Sequence, residues 1–420
     1  MWEWPVVGLV FLAGVVFGCI GFRQYYAAVG GWQRSTLDFI YYTLQLTALE
    51  FNAFEQAVPW TLQVARFLLP AVAVYTGFKA LLALFARQAR ESGVRLFSSG
   101  HTIICGLSQR GLALARKLRA RGDRVVLVEK DDENPLIDTA RDEGLTVLSG
   151  DATSETVLRR ARVDRACNVV SVCHDDGLNA EIAFRARALA KGNPRLQCLC
   201  HVDRFRLRRL IAEHHTKGSA PAVRFFSVYE QGAEALLQLD PPFAGSNAHV
   251  AIVGAGRMGE ALLLRLTRLW KERDNPSGER LRVTLVDQQA EGKRTYLASE
   301  YLELADAWEL DPVECAVRDS GFMTGRFLDE DGRSQTLTRA YVCFDDDTLG
   351  LLAALRLDRL VRARGREVPI VVRTREEHGL AVLLPKVGTP GTADKTVRGF
   401  GLLEQTCGPE LLRDRPAGEA

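Results

Sequence analysis

The chain has 420 residues, 47% hydrophobic and 25% charged, with a formal net charge of +2. That length calls for about two to three domains, and the near-neutral balance makes no case for nucleic acid as a partner. Nine cysteines, an odd number with no CxxC pair, do not make a disulfide framework and fit a reduced cytosolic body; Cys198 and Cys200 alternate as a strand would and read as core.

The average hides a split. Residues 4–22 carry no charge, enough to span a hydrocarbon core. A signal peptide fits poorly, because Met-Trp-Glu-Trp supplies no basic start. Phe67–Phe85 is a second span, interrupted only by Lys79, which lies near its end and can snorkel. Arg87, Arg90 and Arg95 follow at once and place the next domain on the cytoplasmic side, and the N-terminus with it. Arg23, Arg34 and Arg66 in the connecting segment oppose this in part. Between the spans, Ser35–Asn52 sets Leu37, Ile40, Tyr41, Leu44 and Ala48 near helical spacing and is too short to cross alone. Tyr75 and Lys79 have the spacing of a dehydrogenase dyad, but they fall inside a span with no route to a nicotinamide.

Residues 101–153 are the most specific stretch. His101–Gly106 reads as a buried strand ending in a glycine turn, Gly106-Leu-Ser-Gln-Arg-Gly111, and Leu112–Arg121 continues at helical spacing. Arg124–Glu129 is the next strand and ends in an acid; Leu145–Ser149 is a third, closed by Gly150-Asp-Ala-Thr153. Strand, glycine turn, helix, strand and acid make a nucleotide-binding βαβ unit. The turn lets backbone amides and a helix N-terminus face a pyrophosphate, and Glu129 stands where ribose hydroxyls donate.

In their order these pieces resemble the RCK (regulator of K⁺ conductance, or TrkA-N) family. The matching motifs are Ile-Ile-Cys-Gly106, Val-Leu-Val-Glu129, Gly150-Asp151-Ala152-Thr153, Val169-Val-Ser-Val172 and Asp175-Asp176-x-x-Asn179. The resemblance implies a Rossmann-like domain that takes NAD(H) or an adenine nucleotide through Gly106, Ser108, Gly111, Glu129, Gly150, Asp151 and Ala152. The family usually has glycine at Ser108, so phosphate contact is expected to be looser; a Rossmann fold without ligand is the competing reading. Asp203–His214 is expected as a helix with a basic face. Phe225–Tyr229 and Gln231–Leu239 resemble the family's crossover helix, which pairs neighbouring subunits.

Span, short helix, loop and span is the plan of a two-span tetrameric cation channel. The segment resembles a potassium-channel pore helix and filter, with Ala48-Leu49-Glu50-Phe51-Asn52 where that family has Thr-Val-Gly-Tyr-Gly. Both filter glycines are missing, and with them the backbone angles that aim carbonyls at an ion. A ring of Glu50 carboxylates favours monovalent cations broadly instead; a re-entrant packing element without conduction is the alternative.

A repeat begins at His249. His249-Val-Ala-Ile-Val-Gly254-Ala-Gly256-Arg-Met-Gly259 is a complete GxGxxG after a strand, and it opens the helix Glu260–Lys271. Arg282–Asp287 is the second strand with its acid, after a polar insert at Glu272–Glu279; Ala340–Phe344 and Val368–Arg373 read as later strands. This half resembles a second domain of the same type, with Gly254, Gly256, Gly259 and Asp287 as nucleotide candidates. No equivalent of Gly-Asp-Ala-Thr is recognisable.

The expected organisation is a membrane α-helical N-terminal domain (1–90) with two spans and a pore-helix-like segment, then two α/β Rossmann-like RCK-type domains (91–245 and 246–408), then a disordered tail (409–420). The expected function is a nucleotide-regulated cation channel in the lipid bilayer of the cell membrane, assembled as a homotetramer, with both termini and the RCK-type domains cytoplasmic. A non-conducting membrane nucleotide sensor is the alternative. A membrane-anchored NAD-dependent oxidoreductase lacks a catalytic His, a usable Tyr/Lys pair and a substrate domain, so no enzyme activity and no metal are expected.

Overall fold

A computed structural model describes residues 3–29, 35–50, 57–97, 99–190, 192–204, 207–208, 223–243, 248–273, 279–375, 382–392 and 395–412. The chain divides into two compact units, Met1–Gly93 and Val94–Ala420.

The first unit is helical: Glu3–Val29, Thr36–Gln45 and Trp60–Phe97, with a 3₁₀ turn Leu46–Ala48 after the second. Both long helices outrun the expected spans, because neither Arg23–Val29 nor Trp60–Arg66 contains a glycine or proline to stop them. Trp4–Val29 and Trp60–Leu81 are long and apolar enough to cross a membrane, and only 22% and 17% of their most apolar stretches are buried within the protein. Most of that apolar surface faces outward, unlike the core helix of a soluble protein. Ser35 caps the short helix: its Oγ accepts from the N–H groups of Leu37 and Asp38, while Asp38 accepts from the Ser35 N–H, a reciprocal capping box. Glycines let the first helix close on its neighbours. A Cβ on Gly18 would lie 2.3 Å from Thr43 Cγ2, and one on Gly21 would lie 2.6 Å from the Leu62 backbone nitrogen.

The second unit holds two parallel sheets. The first contains β1 (Thr102–Cys105), β2 (Val125–Glu129), β3 (Thr146–Ser149), β4 (Asn168–Ser171), β5 (Gln197–His201) and β6 (Val223–Phe226), in the order β3-β2-β1-β4-β5-β6. The second contains β7 (His249–Val253), β8 (Leu281–Asp287), β9 (Trp308–Glu314), β10 (Arg339–Val342), β11 (Ile370–Thr374) and β12 (Val397–Gly401). Its order, β9-β8-β7-β10-β11-β12, repeats the first. Central strands such as β1 and β7 are buried throughout, as parallel strands covered on both faces must be. The sequence announces neither edge strand of the second sheet: Glu309, Asp311 and Pro312 break the apolar run of β9, and two glycines interrupt β12; edge positions tolerate them.

Three apolar layers hold this unit together. The outer face of each sheet has its own layer. The third is shared: it runs from Ile104 and Leu127 through Tyr229 and Leu236 to Ile252 and Leu262. The crossover segment expected over Phe225–Tyr229 and Gln231–Leu239 divides into the end of β6 and the helix Val228–Leu239, and that helix packs onto the second domain of its own chain. A Cβ on Gly232 would lie 2.2 Å from Leu402 Cδ1, so glycine permits the close approach. The tail expected to be disordered from Pro409 is ordered through Leu412, because Leu411 is buried in the same layer; residues 413–420 lie outside the described residues.

Candidate nucleotide site

At the first turn, Gly106 has φ 103°, and a Cβ there would sit 2.9 Å from the Cys173 backbone nitrogen. A Cβ on Gly111 would lie 2.2 Å from the Gly106 carbonyl oxygen. Both glycines are thus required by backbone crossing backbone. Ser108 caps the helix Gln109–Ala120, its Oγ accepting from Gly111 N–H at 3.4 Å. The serine hydroxyl engages one of the N–H groups that a helix start offers to phosphate. Glu129 is drawn into the same turn: Oε2 accepts from Leu107 N–H at 2.7 Å and Oε1 from Asp131 N–H at 2.9 Å. The acid expected at ribose holds the turn in shape.

Gly150 has φ 149° and lets β3 turn under Val157, 2.7 Å from where a Cβ would lie. Asp151 Oδ1 accepts from the N–H and hydroxyl of Thr153 at 2.9 and 2.7 Å. Its Oδ2 meets Lys130 Nζ at 2.8 Å. Lys130 first, then the Thr153 bonds, hold this carboxyl down at about 2. Ala152 is buried beneath them.

The Asp175–Asn179 motif is a brace. Asn179 is fully buried; its Oδ1 accepts from Cys173 N–H at 2.7 Å, and its Nδ2 donates to the carbonyls of Cys173 and His201 at 3.1 and 3.0 Å. Asp175 caps the helix Asp176–Leu189 through Leu178 N–H at 2.8 Å. Asp176 accepts the N–H groups of Asp203 and Arg204, each at 3.2 Å. The ends of β4 and β5 are thereby locked together. This brings Asp176, His201 and Asp203 into one cluster, with one donor atom each within 4.8 Å of the others. Among the described residues these are the donors that can hold a cation, a grouping absent from the expectation of no metal. Burial alone pushes the Asp203 carboxyl up, but the bond from His201 and the charges of Arg110 and Arg257 bring it below its ordinary value. Of the helix expected over Asp203–His214, residues 205–206 and 209–214 lie outside the described residues.

The second turn repeats the geometry. Gly254 has φ 93°, and a Cβ on Gly259 would lie 2.3 Å from the Gly254 oxygen. Around Gly256 a Cβ would meet nothing within 4 Å, which leaves room for a phosphate. Asp287 Oδ2 accepts from Ala255 N–H at 2.9 Å and Lys293 Nζ at 2.8 Å, and Oδ1 accepts from Gln289 N–H at 3.0 Å. Cys315 N–H donates to the Asp287 carbonyl at 3.2 Å, as Gly150 N–H does to the Glu129 carbonyl at 2.8 Å. Cys315, Ala316 and Val317 therefore stand for Gly150, Asp151 and Ala152, which explains why no motif is legible there. Strand register likewise puts Arg373 at the place of His201 and Arg375 at that of Asp203. Asp347 accepts from Arg375 N–H at 2.9 and 3.0 Å. An open cleft of about 450 Å³ lies among Asp345, Asp346, Asp347 and Arg375.

In the first unit, Ala48 ends the 3₁₀ turn and Leu49 closes it in the left-handed region, at φ 63°. Glu50 is exposed, its N–H donating to the Gln45 carbonyl at 3.3 Å. Phe51 and Asn52 lie outside the described residues.

Residues 102–204 match the TrkA-N domain. Potassium channel protein 1 of Methanocaldococcus jannaschii is 28% identical over 108 residues, 25% of this chain and 31% of that protein. An uncharacterized protein of Methanothermus fervidus is 31% identical over 96 residues, 23% of this chain and 15% of that protein. These matches span less than a third of each relative. Among solved structures, GsuK bound to ADP covers 96% of this chain and 94% of its own, with a TM-score of 0.52 at 16% identity. The GsuK channel bound to NAD covers 95% of this chain and 80% of its own, with a TM-score of 0.52 at 14% identity. At such identities the likeness is one of fold.

Proposed function

Because residues 102–204 form a TrkA-N domain, we propose that the chain is a nucleotide-regulated, potassium-channel-like membrane protein whose paired Rossmann domains act on a two-span cation pore. The observation that supports this is that one chain carries two parallel sheets, each with a glycine turn after its first strand, and two long apolar helices. In chain order the helix Trp60–Phe97 precedes β1, which begins at Thr102. Each sheet offers a glycine turn and a helix N-terminus at the carboxyl end of its first strand, where open α/β sheets bind ligands. NAD(H) or an adenine nucleotide is the fitting ligand class. Its phosphates lie at Ser108 and Gly256, and its ribose reaches Glu129 or Asp287.

In this scheme four chains share one pore, the Glu50 carboxylates attract monovalent cations, and both termini lie in the cytoplasm. Among the described residues, those around the turns are capping, ion-paired or backbone-crossing groups, which favours regulation over chemistry. Ligand acts only if it binds the two packings of the domains unequally.

The test is ion flux from liposomes holding the purified chain, with ADP or NAD present and absent. Cation flux that responds to nucleotide is expected, reduced in Glu50→Gln and blocked in Glu50→Lys. Absence of flux under every condition, with nucleotide still bound, replaces the pore by a non-conducting sensor. Glu50 and Asn52 at the two filter positions where glycine is needed to aim carbonyls at an ion favour this second outcome.

A further inference from the structure

Asp203 lies just past β5 with a side chain only 7% exposed. Its Oδ2 meets Arg257 Nη1 at 2.9 Å and has Arg110 Nη1 at 4.0 Å. Its Oδ1 faces His201 Nε2 at 3.1 Å and accepts from Ser227 Oγ at 3.3 Å. Arg110 Nη1 also stands 3.0 Å from Nε2 and 3.2 Å from Nδ1 of His201, across the ring. The two arginines come from different domains. Arg110 is the second residue of the helix that opens at the first glycine turn, and Arg257 is the first residue of the helix that opens at the second. The two helix starts that face the two phosphate positions thus each send a guanidinium to one buried carboxylate.

We propose that Asp203 is a positioning residue that makes the two nucleotide turns antagonistic, so that occupancy of one weakens the other. This rests on the nucleotide reading of both turns. A buried carboxylate is costly without a counter-charge, and a phosphate competes with it for guanidinium through the same charge-assisted bonds. The Arg257 side chain is 52% exposed, with its guanidinium 5.9 Å from the Tyr229 ring centroid, and is the less enclosed of the two arginines. When phosphate at the second turn draws Arg257 away, Arg110 closes on Asp203 from 4.0 Å and is withdrawn from the first turn. Filling the first turn runs the same exchange in reverse, and linkage makes the two effects equal.

The experiment is calorimetric titration of ADP into the full chain in detergent micelles, comparing wild type, Gly256→Val and Asp203→Asn. Gly256→Val, at φ −77° with open space around a Cβ, is expected to remove one of two binding steps and so assign the second turn. In Asp203→Asn the ratio of the two stepwise dissociation constants is expected to shrink by about fivefold or more, the usual lower range of coupling between sites. A merely structural role would move both constants alike and leave the ratio unchanged. If Asp203→Asn fails to fold by circular dichroism, Arg257→Gln removes the exchange from the exposed side and is expected to collapse the ratio in the same way. Two steps with an unchanged ratio in the folded variants overturn the proposal and leave nucleotide binding standing. No ADP binding by wild type overturns both.

Discussion

Asp240 ends the helix Val228–Leu239 of the first domain and grips Arg398 of β12 with both carboxylate oxygens, each at 3.1 Å. Arg339 of β10 donates to the same carboxylate, and all three side chains are buried or nearly so. One negative charge serves two positive ones at the seam between the domains. Asp240→Ala leaves both guanidiniums uncompensated and is expected to cost on the order of 3–5 kcal/mol. Arg398→Met is expected to cost less, because Arg339 still neutralises Asp240. Urea unfolding of the full chain in detergent checks the ranking; equal losses in the two variants refute it.

The glycines of the turns separate into two kinds. Gly106→Ala places a side chain at φ 103°, 2.9 Å from a backbone nitrogen, and is expected to lower stability by about 1–3 kcal/mol whether or not ligand is present. Gly256→Val keeps an allowed backbone, φ −77°, with open space around its Cβ; it is expected to cost about 1 kcal/mol or less, as a poorer helix cap, while weakening ADP binding. Thermal melts with and without ADP distinguish strain from blockage. Loss of stability in both variants alike would show that Gly256 is also structural.

His249 heads β7 and is buried between Thr336 Oγ1 at 2.7 Å and Thr284 Oγ1 at 2.8 Å. Burial first, then Arg282, lowers its imidazole to about 4. His101 heads β1 at the same place in the first sheet and is also lowered by burial. For a base with a depressed folded value, the unfolded chain takes up the proton first. Stability is therefore full above about 6.5, the ordinary histidine value, and falls as pH drops from there toward about 4. Urea midpoints measured across that window are expected to decline. His249→Gln is expected to flatten the slope; an unchanged slope assigns the acid sensitivity elsewhere.

The first helix depends on its glycines for packing within its own unit. Gly21→Val sets a branched side chain against the Leu62 backbone, 2.6 Å from a Cβ, where nothing flexible can give way. Gly18→Ala meets only the side chain of Thr43, whose Oγ1 bonds to the Phe39 carbonyl at 2.7 Å. Overpacking of this kind costs about 1–3 kcal/mol, and the valine variant is expected to be the worse. Thermal stability in detergent, read by size-exclusion recovery, orders the two; a more stable Gly21→Val contradicts the helix packing.

Several features were legible in the linear chain. The glycine turns at Gly106 and Gly254, the acids Glu129 and Asp287, the apolar helices and the central strands each rest on local chemistry. A turn crossed by backbone admits only glycine, a doubly covered parallel strand is apolar throughout, and a span must be long and uncharged. The same locality hid other features. β9 lies at a sheet edge, where Pro312 and Asp311 are tolerated, so its composition carries no strand signal. Cys315 holds the place of Gly150 through a backbone bond that any residue can make.

The tertiary structure alone decided what the two halves do to each other. The helix Val228–Leu239 is amphipathic, and its sequence does not say which apolar surface it covers; the shared core settles that it covers its own second domain. Arg257 and Asp203 lie 54 residues apart, and Arg110 and His201 lie 91 apart. A charge pair across a domain seam leaves no period and no motif in either segment, since it needs only that two folded surfaces bring a guanidinium and a carboxylate to one point. Local backbone geometry wrote the two turns into the sequence, and only the packing of one sheet against the other brought their arginines to a common acid.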